Sequence, residues 1–208
     1  MAKVVDITDK LTFEENPALE IKGKVIEVNA DAPTMLKVMG LMGKDDPGVQ
    51  EIMDAYQLMF PEKSRKELDK LKLSFRDLIV VVQEAVQLIA GDGDGRGGDD
   101  PYYDLFGDWD LIVASFLTQY GIRIRTKEFE TVSWDEFKSL LAGLAPETPL
   151  GRIVAIRSED DKNVIKHFTK DQKRIHDEWR EEQAAAVTPE TFEKQMAELE
   201  RMMAQLCG

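Results

Sequence analysis

Residues on which site chemistry usually rests are almost absent from this chain. Among 208 residues there is one cysteine, Cys207, and there are two histidines, His167 and His176. A single cysteine excludes an intrachain disulfide, and its natural setting is a reducing compartment. Nine residues separate the histidines, a turn of ~900° at ~100° per residue, so one helix would carry them on opposite faces. They make no metal pair and are expected as solvated residues of helix surfaces. Basic charge is also short. Lys and Arg number 27 against 40 Asp and Glu, for a net charge of −13 and a pI near 4.7. Residues 1–98 carry 13 basic and 18 acidic side chains, and residues 99–208 carry 14 and 22. Neither half has the basic footprint of a nucleic-acid partner, and the acidity is expected to keep the chain soluble. Long apolar runs are missing too. The longest, Leu78 to Val82, falls far short of the ~20 residues of a membrane span. The start, MAKVVDITDKLTFEENP, has no apolar leader core. The expectation is a soluble cytoplasmic protein that meets neither nucleic acid nor membrane.

One stretch does look like chemistry. In 90-AGDGDGRGGDDPYYD-104, Asp92, Asp94, Asp99 and Asp100 stand among five glycines. A calcium loop counted from Asp92 has oxygen ligands at its first and third positions and Gly97 at its sixth. Its fifth position, however, is Arg96 and its twelfth is Tyr103, which puts a cation among the ligands and leaves no closing carboxylate. A phosphate-cradling loop fails as well, because no strand precedes the run and the GxxxxGK[ST] lysine is missing. A charged, helix-breaking linker remains. Elsewhere, carboxylate pairs such as Glu14-Glu15, Asp45-Asp46 and Asp160-Asp161 sit in solvated flanks and lack the contrasting environments of acid–base work. No Ser or Cys has a nucleophile-elbow context. The reading is a protein that is not an enzyme and holds no cofactor or metal.

What is present is mostly helix. Residues 18–29, ALEIKGKVIEVN, alternate about a Lys-Gly-Lys turn and read as a β-hairpin. Pro33 opens a helix over 31–42, with Met35, Leu36, Met39 and Met42 at helical spacing. Further helices are expected near 47–59, with Ile52, Ala55, Tyr56 and Met59 on one face, and at 64–72. Another runs over 75–90 behind the Ser74 cap, apolar on most sides and so expected at the buried centre of the first half. Beyond the glycine run, Asp108 caps a helix at 109–120 that stops at Gly121, and 122–132 suits either a strand or an extended link. Ser133 with Glu136 forms a capping box ahead of 134–144, and Thr148-Pro149 starts 149–158. Two charged helices, near 169–186 and 189–206, close the chain.

The fold class is therefore mainly α with a small N-terminal β-hairpin. Two small helical domains, 1–90 and 104–208, would be joined by a Gly/Asp-rich linker at 91–103. In the last helix Phe192, Met196, Leu199, Met203 and Leu206 are spaced 4, 3, 4 and 3, a heptad seam. That seam would dock on the preceding helix, on a partner or on another copy. Nine methionines suit both core filling and surfaces that accept irregular apolar partners.

Two stretches carry a resemblance. The first, 11-LTFEENPALEIKGKVIEVNADAPTMLKVM-39, resembles the N-terminal segment of tail-assembly chaperones of long-tailed phages and prophages of Gram-positive bacteria. The second joins 108-DWDLIVASFLTQYGIRI-124 with 134-WDEFKSLLAGLAPETPLGRIVAIRS-158. It is similar to the phage protein family encoded just downstream of that chaperone, often reached by a programmed ribosomal frameshift. That family often has a double tryptophan where Asp135 follows Trp134 here. The resemblance implies the long form of the chaperone. Such proteins bind the apolar tape-measure protein and keep it soluble, and the second domain recruits tail-tube subunits. It further implies a homo-oligomer or multi-copy coat in the host cytoplasm, absent from the mature virion. Expected partner contacts are Met35, Met39 and Met42 in the first domain, with Trp109, Phe116, Trp134, Phe137, Leu150 and Arg152 in the second. All the apolar ones would equally serve as core. The alternative is a structural minor tail or connector component of the virion.

Overall fold

The computed structural model describes residues 16–43, 47–90 and 102–186. These are mainly helical, with one N-terminal antiparallel hairpin, as the patterning predicts. The chain forms two compact units. One comprises Met1–Asp99 and Tyr120–Gly143, the other Asp100–Gln119 and Leu144–Gly208. The glycine run at 91–101 and the seam Phe192–Leu206 lie outside the described residues.

The first unit opens with β1 (Ala18–Ile21) and β2 (Lys24–Glu27), paired so that Leu19 faces Ile26. Lys22 and Gly23 both have positive φ, 50° and 75°. A two-residue turn of that hand matches the twist of the strands, and glycine supplies half of it without a Cβ penalty. Ile21, Ile26 and Val28 turn inward. Asp31 then caps α1 (Ala32–Met42) by accepting from the Thr34 amide, with Pro33 in the first turn. In α2 (Val49–Met59) the buried face is Ile52, Ala55, Tyr56 and Met59, the four that their spacing singles out. Burial, joined by nearby Asp69 and opposed by Arg65, raises the Tyr56 phenol above its ordinary range. α3 (Glu62–Lys70) lies by β2, where the Ser64 hydroxyl donates to the Glu27 carbonyl at 2.8 Å. The exposed Lys24–Glu67 and Lys63–Glu27 pairs alongside add little.

α4 (Phe75–Ala90) starts on a reciprocal cap. The Ser74 amide and hydroxyl donate to Asp77, and the Asp77 amide donates back to Ser74. These bonds to Ser74 hold the Asp77 carboxyl below its usual range. The helix is not the buried centre of its half. It packs against α2 along Val81, Val82, Ala85 and Ile89, whereas Phe75, Val80 and Leu88 are exposed. A helix covered on one side buries one stripe, however apolar the others are.

The chain re-enters this unit after α5 (Trp109–Tyr120), which ends at Gly121 with φ 70°. Residues 122–132 form turns and a 3-10 helix at Lys127–Thr131. No strand forms there, and an isolated bridge between Asp31 and Ser133 follows directly after the stretch. The Ala32 amide donates to Val132, and the Trp134 amide to Ala30, both at 2.8 Å. Ser133 caps α6 (Trp134–Ala142) by accepting from Glu136. Trp134 stacks on Phe137 at 5.3 Å, and Phe129 meets Phe137 edge-on. The 3-10 helix and α6 both lie against α1.

In the second unit, Thr148 caps α7 (Pro149–Arg157) by accepting from the Gly151 amide. A short α8 (Lys162–Ile165), capped by Asp161, precedes α9 (Lys170–Ala186), which packs on α7. His176 departs from its expected place on a solvated surface. It is buried, with Nδ1 3.0 Å from Asp177 and Nε2 3.0 Å from the Glu159 carbonyl oxygen. Phe168 lies edge-on to it at 6.0 Å. Only His167 is exposed.

Trp134 is 2% exposed, and its Nε1 is buried without a partner. Trp134→Ala should therefore cost about 3–5 kcal/mol in urea unfolding followed by circular dichroism. Trp134→Phe, which keeps the stacked ring and discards the unpaired N–H, should cost well under half of that.

Candidate functional site

In the first unit, α1, α2 and α3 border an open groove of ~600 Å³ lined by Lys37, Gly40, Leu41, Asp54, Gln57, Leu58 and Arg65. Gly40 removes a side chain from its wall. Arg65 donates to the Gln57 and Phe60 carbonyls at 2.8 and 2.9 Å, closing the C-terminal end of α2. The groove mixes apolar wall with both signs of charge, which suits a peptide or helix better than a compact polar ligand.

The second unit is built around one ion pair. Arg157 donates to Asp108 through both terminal nitrogens, at 2.5 and 3.1 Å, and to the Tyr102 carbonyl at 3.1 Å. Asp108 also accepts from the Asp104 amide at 2.9 Å. Both side chains are largely buried, 14% and 9% exposed. The guanidinium lies 4.0 Å over the Trp179 ring, a stacking geometry in which a cation gains from the ring's negative face. A second joint links α5 to α7. Ser115 donates to the Leu111 carbonyl and accepts from the Leu150 amide, which is how a buried hydroxyl is satisfied. Gly151 is required beside it, because a Cβ there would lie 2.4 Å from the Ala145 carbonyl oxygen.

The nine residues expected to contact partners are divided between the units. Met35 and Met39 point into the core of the first unit, and Met42 is half-buried at the end of α1. Trp134 and Phe137 join them in that unit, both buried. Phe116 and Leu150 are core residues of the second unit, Trp109 is half-buried, and Arg152 is exposed. Sequence reasoning missed the Asp108–Arg157–Trp179 clasp and the Ser115–Leu150 joint. Asp108 was legible only as a cap, and nothing local announces a partner 49 residues away. Among the described residues, no group of three or more His, Cys, Asp or Glu side chains is placed to hold a metal ion. No helix among them is long and apolar enough to cross a membrane.

A family model described as Bacteriophage Gp15 protein matches residues 12–181. No curated protein and no solved structure matches the chain. The matched span includes the hairpin, the groove and the whole Asp108–Arg157–Trp179 clasp.

Removing one member of a buried ion pair strands the other. Asp108→Ala should cost about 3–5 kcal/mol, and Gly151→Ala about 1–3 kcal/mol through overpacking. Both are read as shifts in the denaturant midpoint. Arg152→Ala, on the exposed side of α7, should leave that midpoint unchanged.

Proposed function

Because the chain belongs to the Bacteriophage Gp15 protein family, we propose that it is a tail-assembly chaperone of the long, frameshift-extended form. It works by binding alone, in the host cytoplasm, and leaves before the virion is complete. The first unit binds the apolar, helical tape-measure protein and keeps it soluble, in many copies. The second recruits tail-tube subunits, whose polymerisation along the tape measure displaces the chaperone.

The observation that carries this reading is the family match across both units, combined with the order of the two resembling stretches within it. Physical features support it. The acidic balance of −13 keeps a complex with an apolar cargo from aggregating. The open groove of the first unit, ~600 Å³ with Leu41 and Leu58 in its wall, offers a partly apolar surface of the kind that peptides and helices bind. The motif residues Asp108, Ser115, Thr148, Gly151 and Arg157 are spent on holding the second unit together, which suits a scaffold that presents a surface.

Co-expression with the tape-measure protein of the same phage or prophage is the direct test. The expected outcome is a soluble tape measure that co-purifies with this chain. A tape measure that stays insoluble in its presence would refute the proposal, as would stoichiometric full-length chain in mature virions.

A further inference from the structure

The second unit gathers its lysines at one corner. Among the described residues it has four, Lys162, Lys166, Lys170 and Lys173, and all are exposed. None of the four side chains is engaged by an ion pair or hydrogen bond among the described residues. The acids beside them are held elsewhere. Asp161 caps α8 through the Asn163 amide, Glu159 accepts from the Asp161 amide, and Asp160 pairs with Arg180. Residues 162–174 carry five basic side chains and one acidic one, whereas the rest of the chain carries 22 basic and 39 acidic.

This placement works against local stability. Thr169 and Gln172 form the reciprocal cap that starts α9, and Lys170 and Lys173 sit in the turn that follows. Cations there face the positive end of the helix dipole, and Asp171 is the single acid of that turn. The helix keeps Asp177, Glu178, Glu181 and Glu182 for positions further along. A local rule broken without a compensating contact points to a surface with another use. Apolar surface lies among the charges. Val164 is 43% exposed, between Lys162 and Lys166, and Ile165 and Phe168 are half-buried. The two lysines flank it at ~6 Å along the helical turn.

Lysines around an apolar spot fit a short acidic segment that brings one apolar side chain. A long polyanion fits less well. Screening over ~8 Å confines the attraction to the corner, and a nucleic acid or anionic bilayer would also meet the acidic remainder of the chain. We propose that this corner, made by α8 and the first turn of α9, is where the second unit receives the tail-tube subunit, and that the subunit presents an acidic segment to it. The inference rests on the recruiting role given to the second unit above, and adds to it a surface and the chemistry of the partner.

The test is isothermal titration calorimetry of the purified full chain with the monomeric tail-tube subunit of the same phage or prophage. Wild-type binding should weaken as salt is raised. Lys166→Glu and Lys170→Glu should each weaken it about tenfold or more, and Val164→Ser about threefold or more. Lys127→Glu changes the net charge equally but lies in the 3-10 helix of the first unit, and it should bind as the wild type does. Lys170→Glu should also raise the denaturant midpoint, because it reverses a charge that the helix dipole opposes. A residue needed only for folding would move stability and binding together. Lysine or Val164 variants that bind the subunit as tightly as the wild type overturn the surface and leave the recruiting role standing. A wild-type chain that binds no tube subunit overturns both. Binding of a DNA duplex or of phosphatidylserine vesicles that the lysine variants lose, with their tube binding unchanged, gives the corner to a different partner and overturns the proposal.

Discussion

Arg157 is the group on which the second unit depends. A guanidinium this buried pays a desolvation cost of several kcal/mol that close pairing must offset. Here the offset comes from three places in the chain: the Tyr102 carbonyl, the two oxygens of Asp108 and the face of Trp179, while Nε is buried without a hydrogen-bond partner. Those places belong to the lead-in, the start of α5 and the middle of α9. α9 itself is poor in apolar side chains, and its buried face centres on His176 and Trp179. Hydrophobic burial alone would leave its register loosely defined. The cation beneath Trp179 and the Glu159 carbonyl beside His176 give it one. The same logic makes Asp108 more than a helix cap, because its carboxylate fixes the position of a charge carried by α7.

What could be read directly from the residues was local. Ser74, Ser133 and Thr148 cap the helices whose starts they mark, and Lys22-Gly23 makes the turn of the hairpin. Each depends on three or four neighbouring residues, so the signal lies within the window that is read. The failures were all questions of which neighbour arrives. Nothing in 122–132 says that it will lie against the start of α1, and nothing in 75–90 says that only one of its apolar stripes will be covered. His176 looks solvated by its charged surroundings until α7 packs beside it. The candidate contact residues suffered from the same ambiguity. Met35, Phe116, Trp134, Phe137 and Leu150 are large and apolar, and that property serves cores and interfaces alike. Arg152 could be separated from them, since an arginine with no buried acid beside it stays in solvent.

Burial does not empty the methionine argument, but it relocates it. Met35 and Met39 lie on the inward face of α1, while the groove takes Lys37, Gly40 and Leu41 from the same helix. Unbranched thioether side chains in a core fill irregular gaps and tolerate small shifts of the elements packed on them. Val25, Val49 and Phe75, all exposed in that unit, are the kind of apolar surface that cargo or copies would meet directly.

If the chain is the frameshift-extended form proposed above, the first unit constrains how it can relate to a shorter one. Its compact body is completed by Tyr120–Gly143, which comes after the glycine run. The Asp31–Ser133 bridge, the two backbone bonds beside it, and the cluster of Phe129, Trp134 and Phe137 all come from that later segment. Under the proposed frameshift reading, a product ending within the glycine run would lack every one of them. The surface of α1 against which the 3-10 helix and α6 lie would be left open, with the Ala32 and Trp134 amide bonds unmade. An exposed apolar helix face of that kind is what a coat protein presents to cargo or to its own copies. The extension would then do two things at once, adding a second unit and closing a surface that the shorter product leaves available. In that arrangement the two products differ in what the first unit can bind, as well as in what is attached to it.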